Sequence, residues 1–82
     1  MSGIDIDKKI ESEVFQKLLK HLRTNSQVQN IDLMNLAGFC RNCISKWYVA
    51  ASEKYGKEIS YDEAKKYIYD MPYEEWKNKY QK

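Results

Sequence analysis

Gly38-Phe39-Cys40-Arg41-Asn42-Cys43-Ile44-Ser45-Lys46-Trp47-Tyr48 holds both cysteines, one of the two tryptophans and one of the three glycines. How the backbone passes through Gly38 decides how the helices are arranged. Leu33, Leu36, Cys40, Cys43, Ile44, Trp47, Ala51 and Tyr55 alternate by three and four, the spacing of one helical face. Two readings meet at Gly38. Either one helix runs from about Ile31 to Tyr55 and the glycine lets a neighbouring backbone come close, or a short helix ends there and a new one starts near Phe39. The apolar register crosses Gly38 without a slip, so the sequence predicts the continuous helix, stopped by Gly56 as a left-handed cap, with the others packed around it.

Upstream, Ile10, Val14, Phe15, Leu18, Leu19 and Leu22 mark an apolar face over roughly Asp7 to Arg23, with Lys8, Lys9, Glu13, Lys17 and Lys20 on the other side. Asp5 or Asp7 can cap its start, and His21 and Arg23 suit its negative end. Polar residues Thr24 to Asn30 read as the connection that follows. Downstream, Ser60-Tyr61-Asp62-Glu63 is a capping box, opening a helix whose apolar side is Ala64, Tyr67, Ile68 and Met71. Pro72 cannot continue that helix but suits the first turn of another, carried by Tyr73, Trp76 and Tyr80. The expected fold is all-α: one domain over residues 1–82, a small compact bundle of about four helices around a long central one.

Composition supports this and excludes several function classes. The chain has 82 residues, too few for two cores, and is 43% hydrophobic and 32% charged, which is globular rather than disordered. With 3 glycines and 1 proline it has little turn chemistry for a sheet. A net charge of +2, with no run of five like charges, is not the footprint of a nucleic-acid binder. The start, Met1 to Lys9, has no apolar leader core, and no apolar run could span a membrane, so the chain reads as cytoplasmic with neither nucleic acid nor membrane as partner.

Cys40 and Cys43, at i and i+3 on a helix, present both sulfurs on one face. They can fill the core stripe, bind a metal or oxidise together. A structural zinc site needs four ligands and only one Cys pair is present; His21 is the available third group, leaving a site that is open or shared across a dimer, for zinc or iron. Its simpler role is a helix C-terminal residue. The redox reading lacks a helix N-terminus beside the cysteines if the helix is continuous, and strengthens if a new helix starts at Phe39.

Arg41 and Asn42 read as a solvated shoulder of the helix, or as the rim of a cavity where Arg41 contacts an anion. Trp47, Tyr48, Trp76 and Tyr80, among 7 tyrosines and 2 tryptophans, are more aromatic surface than so small a core can hide, which points to self-association or a protein partner. The expected partner-binding residues are therefore Arg41, Asn42, Trp47, Tyr48, Trp76 and Tyr80, in a homodimer. No hydrolase triad, phosphate-cradling glycine loop or isolated carboxylate pair is present. The chain reads as a non-enzymatic interaction or structural module, with a metal-binding or thiol-redox module centred on Cys40 and Cys43 as the alternative.

The block from Asn30 to Cys43, followed by Ser45-Lys46-Trp47-Tyr48, closely resembles a small, mainly bacterial family catalogued as a domain of unknown function. Ser60-Tyr61-Asp62-Glu63-Ala64, Met71-Pro72-Tyr73-Glu74-Glu75-Trp76-Lys77 and His21-Leu22-Arg23 resemble it too, so the likeness extends from about Phe15 onward. The resemblance implies a compact helical protein and no assigned catalytic residue.

Overall fold

The helix expected from Ile31 to Tyr55 is broken at Gly38. The computed structural model describes residues 3–82; Met1 and Ser2, at the head of the stretch read as lacking a leader, lie outside them. Five helices follow in order: α1 Gly3–Thr24, α2 Asn30–Ala37, α3 Arg41–Lys54, α4 Tyr61–Tyr69 and α5 Tyr73–Tyr80, with no strand among the described residues. α2 ends with Gly38 in the left-handed region (φ 77°, ψ 10°), its N–H donating to the Met34 carbonyl. Cys40, in extended backbone, is then the N-cap of α3. The apolar register that argued for continuity is carried by two separate helices, and the residues expected on a single buried stripe diverge: Ile44 is 4% exposed, but Leu36 is 89%, Trp47 60% and Tyr55 78% exposed.

The local stop and start signals act as their chemistry predicts. After α3, Gly56 (φ 78°) has its N–H on the Glu53 carbonyl while the Lys57 N–H reaches Ser52, the paired bonds of a Schellman close. Ser60 accepts from the Glu63 N–H at 3.1 Å and its own N–H donates to Glu63 Oε1 at 3.3 Å, closing the capping box of α4. Pro72 stands immediately ahead of α5 as its N-cap. α1 starts at Gly3, so Asp5 lies in its first turn instead of capping it.

No long central helix organises the bundle. That position belongs to α4, which packs against α3, α1 and α5. The core joins Leu19, Leu22, Ile44, Ile68, Tyr69 and Trp76, with Phe15, Leu33, Phe39, Met71, Tyr73 and Tyr80 packed around it. α1 is held by its second half only: Arg23 donates to the carbonyls of Tyr67 and Ile68 at the C-terminal end of α4, and Gln16 Nε2 to the Tyr67 hydroxyl at 2.8 Å. Every side chain from Asp5 to Val14 is exposed. The first half of α1 therefore stands off the bundle as an arm, and the radius of gyration is 14.0 Å, against about 12 Å for a compact domain of this length. At the other end of the chain, Gln29 donates to the Tyr80 carbonyl at 2.8 Å and accepts from the Lys82 N–H at 3.0 Å, tying the α1–α2 bend to the residues after α5.

Candidate functional site

The break at Gly38 places Cys40, Arg41, Asn42 and Cys43 at the opening of α3. Arg41 does not stand on a solvated shoulder. It is 2% exposed, Nη1 donating to the Val28 carbonyl at 2.7 Å and to Asn30 Oδ1 at 3.0 Å, Nη2 to the Asn25 carbonyl at 3.0 Å. Its guanidinium carbon lies 5.2 Å from the centre of the Trp76 ring, within cation–π range. Burial pulls the Arg41 pKa below its ordinary value, and Tyr69 and Cys40 nearby oppose that shift. Loop carbonyls, an amide and an indole face thus surround the charge, and they fasten the α1–α2 connection to α3.

Asn42 continues the same network. Its Oδ1 accepts from the Tyr69 hydroxyl at 2.6 Å, and Asn30 Nδ2 donates to that hydroxyl at 3.0 Å. Burial, the largest influence, holds the Tyr69 phenol far above its ordinary range despite the Asn30 hydrogen bond. Asn30 and Tyr69 carry this arrangement although sequence reasoning missed both. Tyr69 lies next to Ile68 but off the Ala64–Ile68 line, so no periodicity marks it, and Asn30 reads as the last residue of a polar connection.

The aromatic residues expected to meet a partner divide. Trp76 is 1% exposed, its Nε1 without a hydrogen-bond partner, and it packs on Tyr69, Tyr73 and Tyr80. Tyr48 and Tyr80 are half-buried, Tyr48 against Tyr67 at 5.2 Å between ring centres. Trp47 keeps 60% of its surface, leaning on Phe39 at 6.0 Å.

Cys40 and Cys43 are free thiols with their sulfurs 3.8 Å apart. Cys40 is 8% exposed and lies among the buried apolar residues, as the core-stripe reading has it, while Cys43 is half-buried; neither is in the cluster that joins Leu19, Ile44, Ile68 and Trp76. His21 is exposed on the last turn of α1. Among the described residues, no three His, Cys, Asp or Glu side chains gather closely enough to hold a metal ion, so His21 does not join the thiol pair within one chain.

A row of exposed apolar side chains lies on the α1 arm, along part of the face that the sequence marked as apolar. Ile6 is 53%, Ile10 56%, Val14 63% and Leu18 39% exposed, a ridge at i, i+4 spacing that enters the bundle only at Leu22. Phe15, Leu19 and Leu22 form a second ridge, the one that α4 covers. The signal was present: adding Ile6 to the stripe gives an apolar face too wide for one neighbour to bury. None of the charges of the arm enters an ion pair among the described residues.

Among the described residues, no helix is long and apolar enough to cross a membrane. A family model described as a protein of unknown function, DUF1244, matches residues 28–82, more than half of the chain. The matched segment contains the Asn30–Cys43 block, the whole thiol site and the Met71–Lys77 block, and it begins beyond α1. No curated protein matches the chain.

Proposed function

Because the chain belongs to the DUF1244 family, whose description assigns no activity, its own surfaces guide the reading, and we propose that it is an interaction module that pairs with a second copy of itself through α1. The observation that carries this is the exposed ridge Ile6, Ile10 and Val14 on a helix arm whose side chains from Asp5 to Val14 are all exposed, continued by Leu18 where α1 meets the bundle.

Charge favours a second copy as the occupant. The first half of α1 carries Asp5, Asp7, Glu11 and Glu13 against Lys8 and Lys9, and the second half carries Lys17 and Lys20 with no carboxylate, Arg23 being turned to the end of α4. Two such helices laid antiparallel about a perpendicular two-fold axis set the acidic half of each against the basic half of the other and oppose their dipoles. Each ridge side chain is already half-covered, so pairing contributes roughly 1 kcal/mol per residue before the cost of association, giving a reversible dimer. A cytosolic setting fits two thiols kept free side by side.

The test is mass in solution by sedimentation as protein concentration is raised. The wild type is expected to pass from monomer to dimer, more weakly at high salt. The double substitution Ile10→Lys and Val14→Lys, at exposed positions of the arm, is expected to remain monomeric with unchanged helicity. A wild type that stays monomeric, or a variant that dimerises equally well, overturns the proposal.

A further inference from the structure

We infer that Cys40 and Cys43 form a thiol–disulfide exchange site whose substrate is a small-molecule disulfide, with Cys43 as the attacking thiol and Cys40 as the resolving one. The inference is independent of pairing through α1.

Geometry supplies the first argument. The sulfurs stand 3.8 Å apart, and a disulfide needs about 2.05 Å, a contraction within reach of side-chain rotation. Cys40 is the N-cap residue of α3, in extended backbone, and its side chain makes no capping hydrogen bond. Its sulfur can therefore swing toward Cys43 without breaking a helix contact, an opportunity that a pair inside a continuous helix lacks. Because the break at Gly38 is what opens α3 there, Cys40 stands at a helix N-terminus, the setting in which the sequence reading expected the redox role to strengthen.

The surroundings supply the second. Cys40 is buried and Cys43 half-buried, so the pair lies at the border between core and solvent, where Cys43 stays open to a reagent. Among the described residues the pair has no third metal-ligating neighbour. A bond spanning so few residues restricts the unfolded chain little, so its formation has chemical rather than structural value.

Exposure sets the order of events. Cys43 is the more accessible thiol and Cys40 is 8% exposed. The Cys43 sulfur, having released its proton, attacks one sulfur of the incoming disulfide; the S–S bond breaks and the departing thiolate takes up a proton. Cys40 then attacks the Cys43 sulfur of the mixed disulfide, forming the internal bond and expelling the second thiol. Two protein thiols are oxidised, and one small disulfide is reduced to two thiols.

The test uses the full chain in mixtures of oxidised and reduced glutathione, quenched by alkylation and read by intact mass. The wild type is expected to lose two hydrogens and carry no lasting adduct. Cys40→Ser is expected to accumulate one glutathione on Cys43, and Cys43→Ser to react about ten-fold more slowly, because the remaining thiol is poorly accessible. Limited alkylation of the wild type, mapped by peptide, checks the order without a variant: Cys43 labels before Cys40. An internal disulfide that forms at no glutathione ratio, a wild type that stops at the mixed disulfide, or labelling in the opposite order overturns the assignment. So does stoichiometric zinc held by the reduced protein and lost on replacing either cysteine.

Discussion

Arg41 separates what a residue type implies from what its position makes of it. An arginine between two cysteines on a helix reads as a solvated shoulder, because the groups that bury it are far away in sequence: the carbonyls of Asn25 and Val28, the Asn30 amide and the Trp76 ring. No spacing within α3 announces them. The planar guanidinium reaches its three acceptors from two nitrogens held in one plane, a span that the single nitrogen of a lysine ammonium does not reproduce. Arg41→Lys is therefore expected to cost about 2–4 kcal/mol, since buried carbonyls lose their donor and the replacement charge is harder to bury. Urea unfolding checks this: the midpoint falls while the denaturant slope is unchanged. A midpoint within error of the wild type would return Arg41 to the surface. The cysteines were more legible, in that their pairing followed from i, i+3 spacing, but their setting at a helix start depended on the break at Gly38.

At the scale of elements, what the sequence disclosed was what local chemistry enforces. The capping box at Ser60 and Glu63, the close at Gly56 and the restart after Pro72 each draw on groups within a few residues, and each is where the sequence placed it. Gly38 admitted two conformations, and apolar register could not choose between them, because two helices separated by a short turn can keep a register by coincidence. Alanine distinguishes them in sign. In a continuous helix, Gly38→Ala would stabilise by roughly 1 kcal/mol. At φ 77°, with open space where the Cβ would stand, the substitution meets no clash and costs only the left-handed backbone, about 1 kcal/mol in the opposite direction. Thermal unfolding is expected to shift down by about 4–8 °C, and an upward shift would restore the unbroken helix.

At the scale of the whole molecule, the all-α class was legible from period and composition, but the place of α1 was not, because an apolar residue on an amphipathic helix looks the same whether its neighbour belongs to the same chain or to another. Two phenols, buried Tyr69 and half-buried Tyr61, give the molecule a common pH response. Tyrosine in the unfolded chain ionises near pH 10, roughly its unperturbed value. Burial keeps the Tyr69 proton in place well above that, and the Tyr61 phenol is shifted in the same direction, again first by burial. Below about pH 10 both states hold these protons and the stabilisation is intact; above it the unfolded chain releases what the folded one retains, so stability falls as pH rises. Urea midpoints followed from neutral into alkaline pH are expected to decline beyond that point. Tyr69→Phe should be less stable at neutral pH, having lost the bonds to Asn30 and Asn42, yet show a shallower decline. A flat profile would mean that Tyr69 ionises in place. The Gln29 side chain, gripping the Tyr80 carbonyl and the Lys82 amide, gives the molecule a mechanical character as well. Tension applied at the tail passes through that amide to the bend between α1 and α2, so residues 29–82 resist stretching as a clasped hoop, and α5 is shielded from the pull until the clasp lets go.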